Sequence, residues 1–123
     1  MITIRIIPSR GRLDGYYRAV GHAGEGRDAV CTAVTALEEC LAANLANTFD
    51  LSVERVAAHG SYALRWGRNR KTPVESIRRA NDCAGFVYNG LAALQKQYPA
   101  ALRVKWMNPF VKGGETEEEE ETE

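Results

Sequence analysis

The chain has 123 residues, with 16 basic and 16 acidic side chains and a formal net charge of zero. This length fits one domain with a single core and excludes a second domain of ordinary size. No run of about 18 apolar residues occurs, and residues 1–7 alternate instead of forming a signal peptide. We therefore expect a cytoplasmic protein without a membrane span.

The balanced charge combines two unlike segments. Residues 115–123 hold seven of the acidic side chains and no basic one, so the rest of the chain has a net charge of +7. A basic body is typical of proteins that work near nucleic acid, although a need for solubility explains such an excess equally well. We predict a folded domain over residues 1–112 and a disordered acidic tail over residues 113–123, because the tail buries too little apolar surface to become ordered.

The three cysteines, Cys31, Cys40 and Cys83, form no C-x-x-C motif, which favours reduced thiols over a disulfide framework. Neither His22 nor His59 has a cysteine or another histidine three or four residues away, so a dedicated zinc site is not expected. Cys31 and Cys40 are nine residues apart, which places them on opposite sides of a helix. They are therefore predicted to belong to different sites.

The first predicted elements are two strands. Isoleucines alternate with polar residues over 2–6, the period-two pattern of a half-buried strand. Residues 8–11 supply a turn, and residues 14–22 favour a second strand that pairs antiparallel with the first. His22 is then at the end of a strand, where a rigid element holds a reactive side chain next to a loop.

A glycine-rich loop and a helix come next. Residues 23–27 include Gly24 and Gly26, which permit positive φ. Asp28 is the predicted N-cap of the helix, so Cys31 becomes its third residue, at the flank of the apolar stripe. The Cys31 amide is then one of the unpaired donors of the first helical turn.

The second half repeats this order and adds one strand. Residues 51–58 and 61–66 are predicted strands, joined by a turn at 59–60. Thr72-Pro73-Val74-Glu75 is a capping box with proline at the first helical position, and the helix that it begins ends at Tyr98-Pro99. Residues 102–106 form the last strand. The order ββαββαβ predicts an α+β domain, with two helices packed on one mixed or antiparallel sheet.

Two glycines interrupt the second predicted helix. Gly85 and Gly90 each cost roughly 1 kcal/mol relative to alanine inside a helix. They indicate close packing against another element or another subunit, but tolerance within a well-buried helix explains them equally well.

Residues 22–31 bring together groups suited to nucleophilic catalysis. A cysteine attacks as a thiolate, which the N-terminus of a helix or a neighbouring imidazolium stabilises. Cys31 meets the first condition, His22 is a possible base, and free helix amides suit an oxyanion. Against this stands the commoner role of a helical cysteine as a small buried residue. Asp28 is most simply a helix cap, worth about 1 kcal/mol.

The residues around this segment form a longer motif. It comprises Gly21-His22-Ala23, Gly26, Asp28, Val30-Cys31 and Ala33-Val34. This pattern resembles the signature of the ribosomal-processing cysteine protease family Prp, which reads roughly Gly-His-Ala, a loop, then Gly-x-Asp-Ile-Val-Cys-Ala-Ala-Val-Ser. Gly90-Leu91, Leu94 and Tyr98-Pro99 are similar to the family's second helix and its exit. The resemblance covers nearly everything except the tail.

The resemblance implies a homodimeric cysteine protease with a Cys–His dyad that needs no metal and no cofactor. Such enzymes act on a protein or peptide substrate. They remove an N-terminal extension from the large-subunit ribosomal protein L twenty-seven, cutting after an apolar segment with an aromatic pair. Carried over by residue, Cys31 is the nucleophile and His22 is the general base.

The other motif positions have supporting roles by the same resemblance. Gly21, Asp28 and Thr35 support the dyad, and Gly24 and Gly26 form a flexible loop that acts as a gate. The loop between His22 and Cys31 is about three residues shorter than is common in the family. Ala29 replaces the usual isoleucine or leucine. Thr35 replaces serine and keeps a hydroxyl on the helix face of Cys31.

Two alternatives remain open. A related phage-borne enzyme would keep the protease chemistry and mature capsid or scaffold proteins. A non-catalytic, ribosome-associated or RNA-binding module would use the basic residues 65–71 with Arg78 and Arg79. In the protease interpretation, nucleic acid is a possible partner but is not required.

Overall fold

The computed structural model describes residues 1–11, 13–49, 51–67 and 71–107. Its elements follow the predicted order: β1 (Ile2–Ile7), β2 (Gly15–Gly21), α1 (Asp28–Ala43), β3 (Ser52–Ala58), β4 (Ser61–Gly67), α2 (Val74–Gln97) and β5 (Leu102–Trp106). The α+β class and the ββαββαβ order are confirmed. The predicted acidic tail and the domain boundary at residue 112 lie outside the described residues and stay predictions.

The five strands form one sheet in the order β3-β4-β2-β1-β5. β1 pairs antiparallel with β2 and parallel with β5, so the sheet is mixed. The predicted hairpin of β1 and β2 is present, with Arg5 opposite Arg18. β2 also pairs antiparallel with β4, from Gly15 opposite Trp66 to Val20 opposite Ser61. This second pairing joins the first hairpin to the hairpin of β3 and β4.

The core lies between one face of the sheet and the two helices. Ile2, Ile4 and Ile6 are buried, while the residues between them are partly or fully exposed, as the alternating pattern predicted. Each helix buries a stripe of apolar residues at three- and four-residue spacing. These residues are Val30, Val34, Leu41 and Ala42 on α1, and Ala80, Ala84, Val87 and Leu91 on α2.

Both predicted helix caps are wrong in detail. Asp28 is the first residue of α1, Arg27 takes the N-cap position, and no side chain caps the helix. Pro73, predicted at the first helical position, is the N-cap residue of α2 in an extended conformation. The Glu75 carboxylate instead accepts a hydrogen bond from Arg78 at 3.3 Å. An arginine one turn along the helix is a stronger donor for a carboxylate than a neutral backbone amide.

A π-helical turn, Asn44–Thr48, extends α1 and was not predicted. The Asn44 side chain donates a hydrogen bond to the Cys40 carbonyl at 2.8 Å, and the Phe49 amide donates one to the Asn44 carbonyl at 3.0 Å. Leu45 inside the turn is fully buried. The wider turn therefore keeps the apolar stripe of α1 in contact with the core up to β3.

The helix from Asp28 to Thr48 is long and apolar enough, by length and composition alone, to cross a membrane. Its apolar side chains Val30, Val34, Leu41 and Leu45 pack in the core of the domain. These side chains belong to the 33% of the apolar window of this helix that is buried inside the domain. The absence of a membrane span stays a prediction.

The two helical glycines have different surroundings. A Cβ atom added at Gly90 would lie 3.4 Å from Leu37 Cδ1 on α1, at the distance of an ordinary van der Waals contact. A Cβ atom added at Gly85 would meet nothing within 4 Å. Gly90 therefore faces α1, Gly85 faces open space, and neither position requires glycine for close packing within this chain.

We expect Gly15→Ala to destabilise the fold and Gly85→Ala to stabilise it. The new Cβ atom at position 15 would overlap the indole ring of fully buried Trp66, its partner in the sheet. Overpacking of this kind lowers the free energy of unfolding by about 1–3 kcal/mol. At position 85 the same change removes a helix-breaking residue without a clash, and raises the free energy of unfolding by up to about 1 kcal/mol.

Urea unfolding followed by circular dichroism measures both variants. Each variant adds the same methyl group, so each serves as the control for the other. Changes of equal sign in the two variants would contradict the different packing around these glycines.

Candidate active site

The end of β2 directs His22 towards the turn between β3 and β4. The Gly21 amide donates a hydrogen bond to the Gly60 carbonyl at 2.9 Å. Gly21 has φ of +106°, and a Cβ atom at this position would overlap the carbonyl oxygen of Met1. Glycine is therefore required where the chain leaves the sheet, and the next residue, His22, projects beside Gly60.

The loop 23–27 is a short turn. Ala23 is buried, and the Arg27 amide donates a hydrogen bond to the Gly24 carbonyl at 3.2 Å. Gly24 and Gly26 have φ of +113° and +78°, as the glycine-rich sequence predicted. Both are exposed. Their role as a flexible gate stays a prediction.

Cys31 is the fourth residue of α1, because the helix begins at Asp28. Its amide donates a weak hydrogen bond to the Arg27 carbonyl at 3.3 Å, so it is not the free donor that was predicted. The amides of Asp28 and Ala29 have no partner among the residues that the structure describes. The unpaired amides of the helix start therefore come from the first two helical residues. The thiol is partly buried against the core, at the flank of the apolar stripe as predicted.

A cleft of about 340 Å³ lies between α1 and the ends of β2, β3 and β4. His22 lines it from the end of β2, and Cys31 and Thr35 line it from α1. The structure therefore brings the predicted base, the predicted nucleophile and the predicted supporting hydroxyl to one cavity. Gly21 also lines it. The other polar side chains of its wall are Glu38, Glu39, Arg55, Ser61 and Tyr62.

Three predicted motif residues do not line this cleft. Gly24 and Gly26 lie in the exposed loop, and Asp28 is exposed at the start of α1. No hydrogen bond joins His22 to the Cys31 thiol within the described part of the chain. A catalytic pair often closes only when substrate binds, so this separation is compatible with a dyad.

His59 is a second imidazole near the candidate base, and it was not predicted as a site residue. The His22 and His59 rings have centroids 5.1 Å apart and planes tilted by 48°. A Cβ atom added at the neighbouring Gly60, where φ is +74°, would lie 3.1 Å from His22 Nε2. The turn between β3 and β4 thus confines the imidazole of His22 on one side.

The inner wall of the cleft holds a buried carboxyl group. Glu38 is 6% exposed, and its Oε2 accepts a hydrogen bond of 2.6 Å from the Tyr17 hydroxyl. Burial raises the pKa of Glu38 above its ordinary value, and the hydrogen bond from Tyr17 opposes this shift. Burial and the charge of Glu38 raise the pKa of Tyr17. Both groups therefore favour their neutral forms more than exposed groups do.

Tyr62 and an ion pair complete the polar wall. Burial and the nearby Glu39 carboxylate raise the pKa of Tyr62 to about 12. The Tyr62 hydroxyl is buried without a hydrogen bond among the described residues, so Glu39 acts on it through its charge. Arg55 pairs with Glu39 at 3.2 Å and lies 5.7 Å from the centroid of the Tyr62 ring. Helical spacing from Cys31 was the signal that could have identified Glu38 in the sequence.

A second cavity of about 500 Å³ lies between the two helices. Cys40 and Cys83 line it, whereas Cys31 lines the first cleft, so the prediction of separate cysteine sites is confirmed. All three thiols are free. Over the residues that the structure describes, no group of three or more His, Cys, Asp or Glu side chains could hold a metal ion.

Residues 1–103 match one sequence family, whose members are cysteine proteases. The family is described as "Cysteine protease Prp", and the match spans well over half of the 123 residues. The chain therefore belongs to the Prp family of cysteine proteases. This membership decides against the non-catalytic module. No curated protein sequence matches the chain.

Solved structures share the fold. The crystal structure of SMU.848 from Streptococcus mutans has 24% identity and a TM-score of 0.62, covering 88% of this chain and 95% of that one. The ribosomal processing protease Prp from S. aureus was solved with a covalently linked product peptide (16% identity, TM-score 0.67) and with a substrate peptide (17%, 0.66). Each match covers 86% of this chain and 99% of that one. At these identities the likeness shows the shared fold.

We expect Glu38→Gln to stabilise the protein at neutral pH. The folded chain raises the pKa of Glu38, so the stability contributed by this group is present below its unfolded pKa, about 4.3, and is lost as the pH rises through the folded value. A glutamine at this position would remove the buried charge and keep an oxygen that accepts from Tyr17. We expect a gain of roughly 1 kcal/mol at pH 7 that shrinks towards pH 4.

Urea unfolding at several pH values between 4 and 7 measures the change in the free energy of unfolding. The control is Glu39→Gln on the exposed neighbour, which removes the surface ion pair with Arg55 and a lesser cause of the raised Glu38 pKa, and changes stability by about 0.5 kcal/mol or less. Two results together would contradict the buried charge as the cause. The Glu38→Gln variant would be less stable than wild type at pH 7, and its stability relative to wild type would be no higher at pH 7 than at pH 4.

Proposed function

We propose that this cysteine protease uses Cys31 as its nucleophile and His22 as its general base. One observation carries the proposal: in a chain of the Prp family, these two motif residues line the same cleft. Cys31 is also the fourth residue of α1, so it lines the cleft from the start of that helix. Neither Cys40 nor Cys83 lines this cleft.

The proposed reaction has two acyl-transfer steps. His22 takes the Cys31 proton as the sulfur attacks the scissile carbonyl, and the amine then leaves with that proton as the thioester forms. His22 next deprotonates a water molecule, which attacks the thioester. The acid product leaves, and the proton returns to the sulfur. Atoms and charge balance without a metal or a cofactor.

The negative charge on the carbonyl oxygen needs hydrogen-bond donors. The Cys31 amide bonds to Arg27, so it contributes only if that bond of 3.3 Å opens. The unpaired amides nearest to Cys31 along the chain are those of Asp28 and Ala29, which are exposed at the start of α1 and do not line the cleft; in this proposal they bind the oxyanion of a substrate carbonyl that lies over the start of the helix. Oriented backbone amides stabilise a developing oxyanion. In this proposal the backbone of Asp28 acts, and its side chain is not required.

The proposed substrate is the precursor of the large-subunit ribosomal protein L twenty-seven, from which the enzyme removes an N-terminal extension. Family membership and the fold shared with a ribosomal processing protease support this substrate. The cleft also has apolar wall residues, Ile2, Ala19, Val34 and Ala57, that suit an apolar cleavage segment. A processing role for a ribosomal protein implies that the enzyme acts in the cytoplasm.

We further propose that the enzyme is a homodimer. The cavity between α1 and α2 is largely apolar, and the Phe86 side chain beside it is 73% exposed. A large apolar side chain at such a cavity favours burial against a second copy. Light scattering of the purified protein measures the mass that this proposal requires.

Cys31→Ala should lower the rate of precursor cleavage by about 10³-fold or more, because no other group can form the thioester. The measurement is intact mass of the precursor after digestion. Cys40→Ala, on the opposite side of the same helix, should retain the wild-type rate. Equal cleavage by wild type and Cys31→Ala would falsify the role of Cys31. An uncut precursor with rapid alkylation of Cys31 by iodoacetamide would remove the proposed substrate and leave the nucleophile in place.

Gly60→Ala should lower kcat roughly tenfold, because a displaced imidazole misaligns the proton transfer. The new Cβ atom would lie 3.1 Å from His22 Nε2, so the ring must shift. Gly11→Ala is the control. It carries the same backbone strain at φ of +57° in the connection between β1 and β2, away from the cleft. Steady-state kinetics on a peptide substrate compare the two variants. An equal loss in both would contradict a positioning role for Gly60.

A further inference from the structure

The face of the sheet opposite the helices carries a row of basic residues. Arg5 lies in the centre of the row, directly opposite Arg18 on β2 and Lys105 on β5. Arg103 precedes Lys105 by two residues on the same face, and Arg65 is on β4 opposite Tyr16. We call these five cationic residues the basic face.

The charge of this face is not balanced. In the five strands, all of which the structure describes, Glu54 is the one acidic residue with the same orientation, and it lies 3.8 Å from Arg65 at the far end. Arg5 and Arg18 are exposed and form no ion pair with residues that the structure describes. Like charges directly opposite each other destabilise a sheet. The pairing of Arg5 with Arg18 therefore destabilises the sheet, and folding by itself does not explain it.

An external anion would relieve this repulsion. Neighbouring strands are about 4.8 Å apart, so the row from Lys105 through Arg5 to Arg18 presents three cations within about 10 Å. A shallow depression of about 270 Å³ beside the row is lined by Thr3, Arg5, Arg18 and Val20. Arginines with a threonine hydroxyl are typical phosphate-binding groups.

We propose that the basic face binds the phosphate backbone of a single-stranded nucleic acid. The face also contains Tyr16, paired with Arg65, and aromatic and guanidinium planes are the groups on which unpaired bases stack. This site shares Arg65 with the sequence alternative and does not include Arg78 and Arg79 on α2; residues 68–70 of that alternative lie outside the described residues. It is also independent of the proposed protease chemistry, because the cleft is on the helix side of the sheet.

Other anionic partners fit the basic face less well. An extended acidic peptide binds a sheet through the backbone of an edge strand, whereas the three central cations project from the face. A membrane surface requires several apolar anchors beside the cations. In the described strands, two large aliphatic side chains of this face are strongly exposed. They are Val20, at 42% exposed, and Val56 on the edge strand.

The test uses the full chain and labelled single strands of RNA and DNA of about 12 nucleotides, a length within known site sizes. Fluorescence anisotropy measures Kd between about 50 and 200 mM salt. One phosphate contact each at Arg5 and Arg18 predicts a slope of log affinity against log salt of about −1.4, since each contact contributes about −0.7. Binding of either strand with this slope supports the proposal. The absence of binding at the lowest salt overturns it.

The double variant Arg5→Glu with Arg18→Glu should weaken binding more than tenfold and reduce the slope by about 1.4 in magnitude. Arg78→Glu with Arg79→Glu on α2 makes the same charge change away from the basic face. This control should weaken binding by about threefold or less. An equal loss in both variants overturns the proposal, because binding would then depend on net charge. Tighter binding of a glutamate-rich peptide than of the nucleic acids also overturns it.

Arg18→Gln keeps the test valid if the glutamate variant does not fold. It removes one of the facing charges, so it should raise the unfolding temperature and weaken nucleic-acid binding several-fold. Alkylation of Cys31 at the wild-type rate shows that the cleft is intact. An Arg18→Gln variant that is less stable and binds as tightly as wild type contradicts the inference.

Discussion

The hydrogen bond of 2.9 Å from the Gly21 amide to the Gly60 carbonyl closes the end of the ladder between β2 and β4. This pairing holds two hairpins in one sheet, and the cleft depends on it. β2 delivers His22, and the turn between β3 and β4 delivers Gly60 and His59 beside it. Without the pairing, the candidate base would lie at the end of an isolated hairpin, which is marginally stable in water.

Helix α1 supplies the other wall, and its two sides serve different purposes. Cys31, Thr35 and Glu38 line the cleft, whereas Cys40 lines the cavity between the helices. Glu38 is buried although its carboxyl group is polar, because the Tyr17 hydroxyl satisfies one of its oxygens. The helix thus brings a thiol and a buried carboxyl group to one cavity, and the sheet determines how closely imidazole groups approach them.

Local patterns were sufficient for the order of the elements. Alternation over residues 2–6 and 102–106, and apolar stripes on the helices, reflect side-chain periods that neighbouring residues establish. The caps at Asp28 and Glu75 were wrong because a cap depends on the turn before the helix. Residues 24–27 form a closed turn that moves the helix start, and Glu75 pairs with an arginine. The π-helical turn, Asn44–Thr48, had no local signal, because it follows from packing Leu45 in the core.

Some features of the candidate site also follow from local sequence, and others follow only from the tertiary structure. The sequence by itself determined that His22 and Cys31 are near each other, because a strand end, a short loop and a helix start form one contiguous segment. Only the tertiary structure decided that His59 and Tyr62 join them, and that Arg5, Arg18 and Lys105 share the opposite face. Strand order and register arise from contacts between residues far apart in the chain. The side-chain period of a strand does not specify which other strand pairs with it.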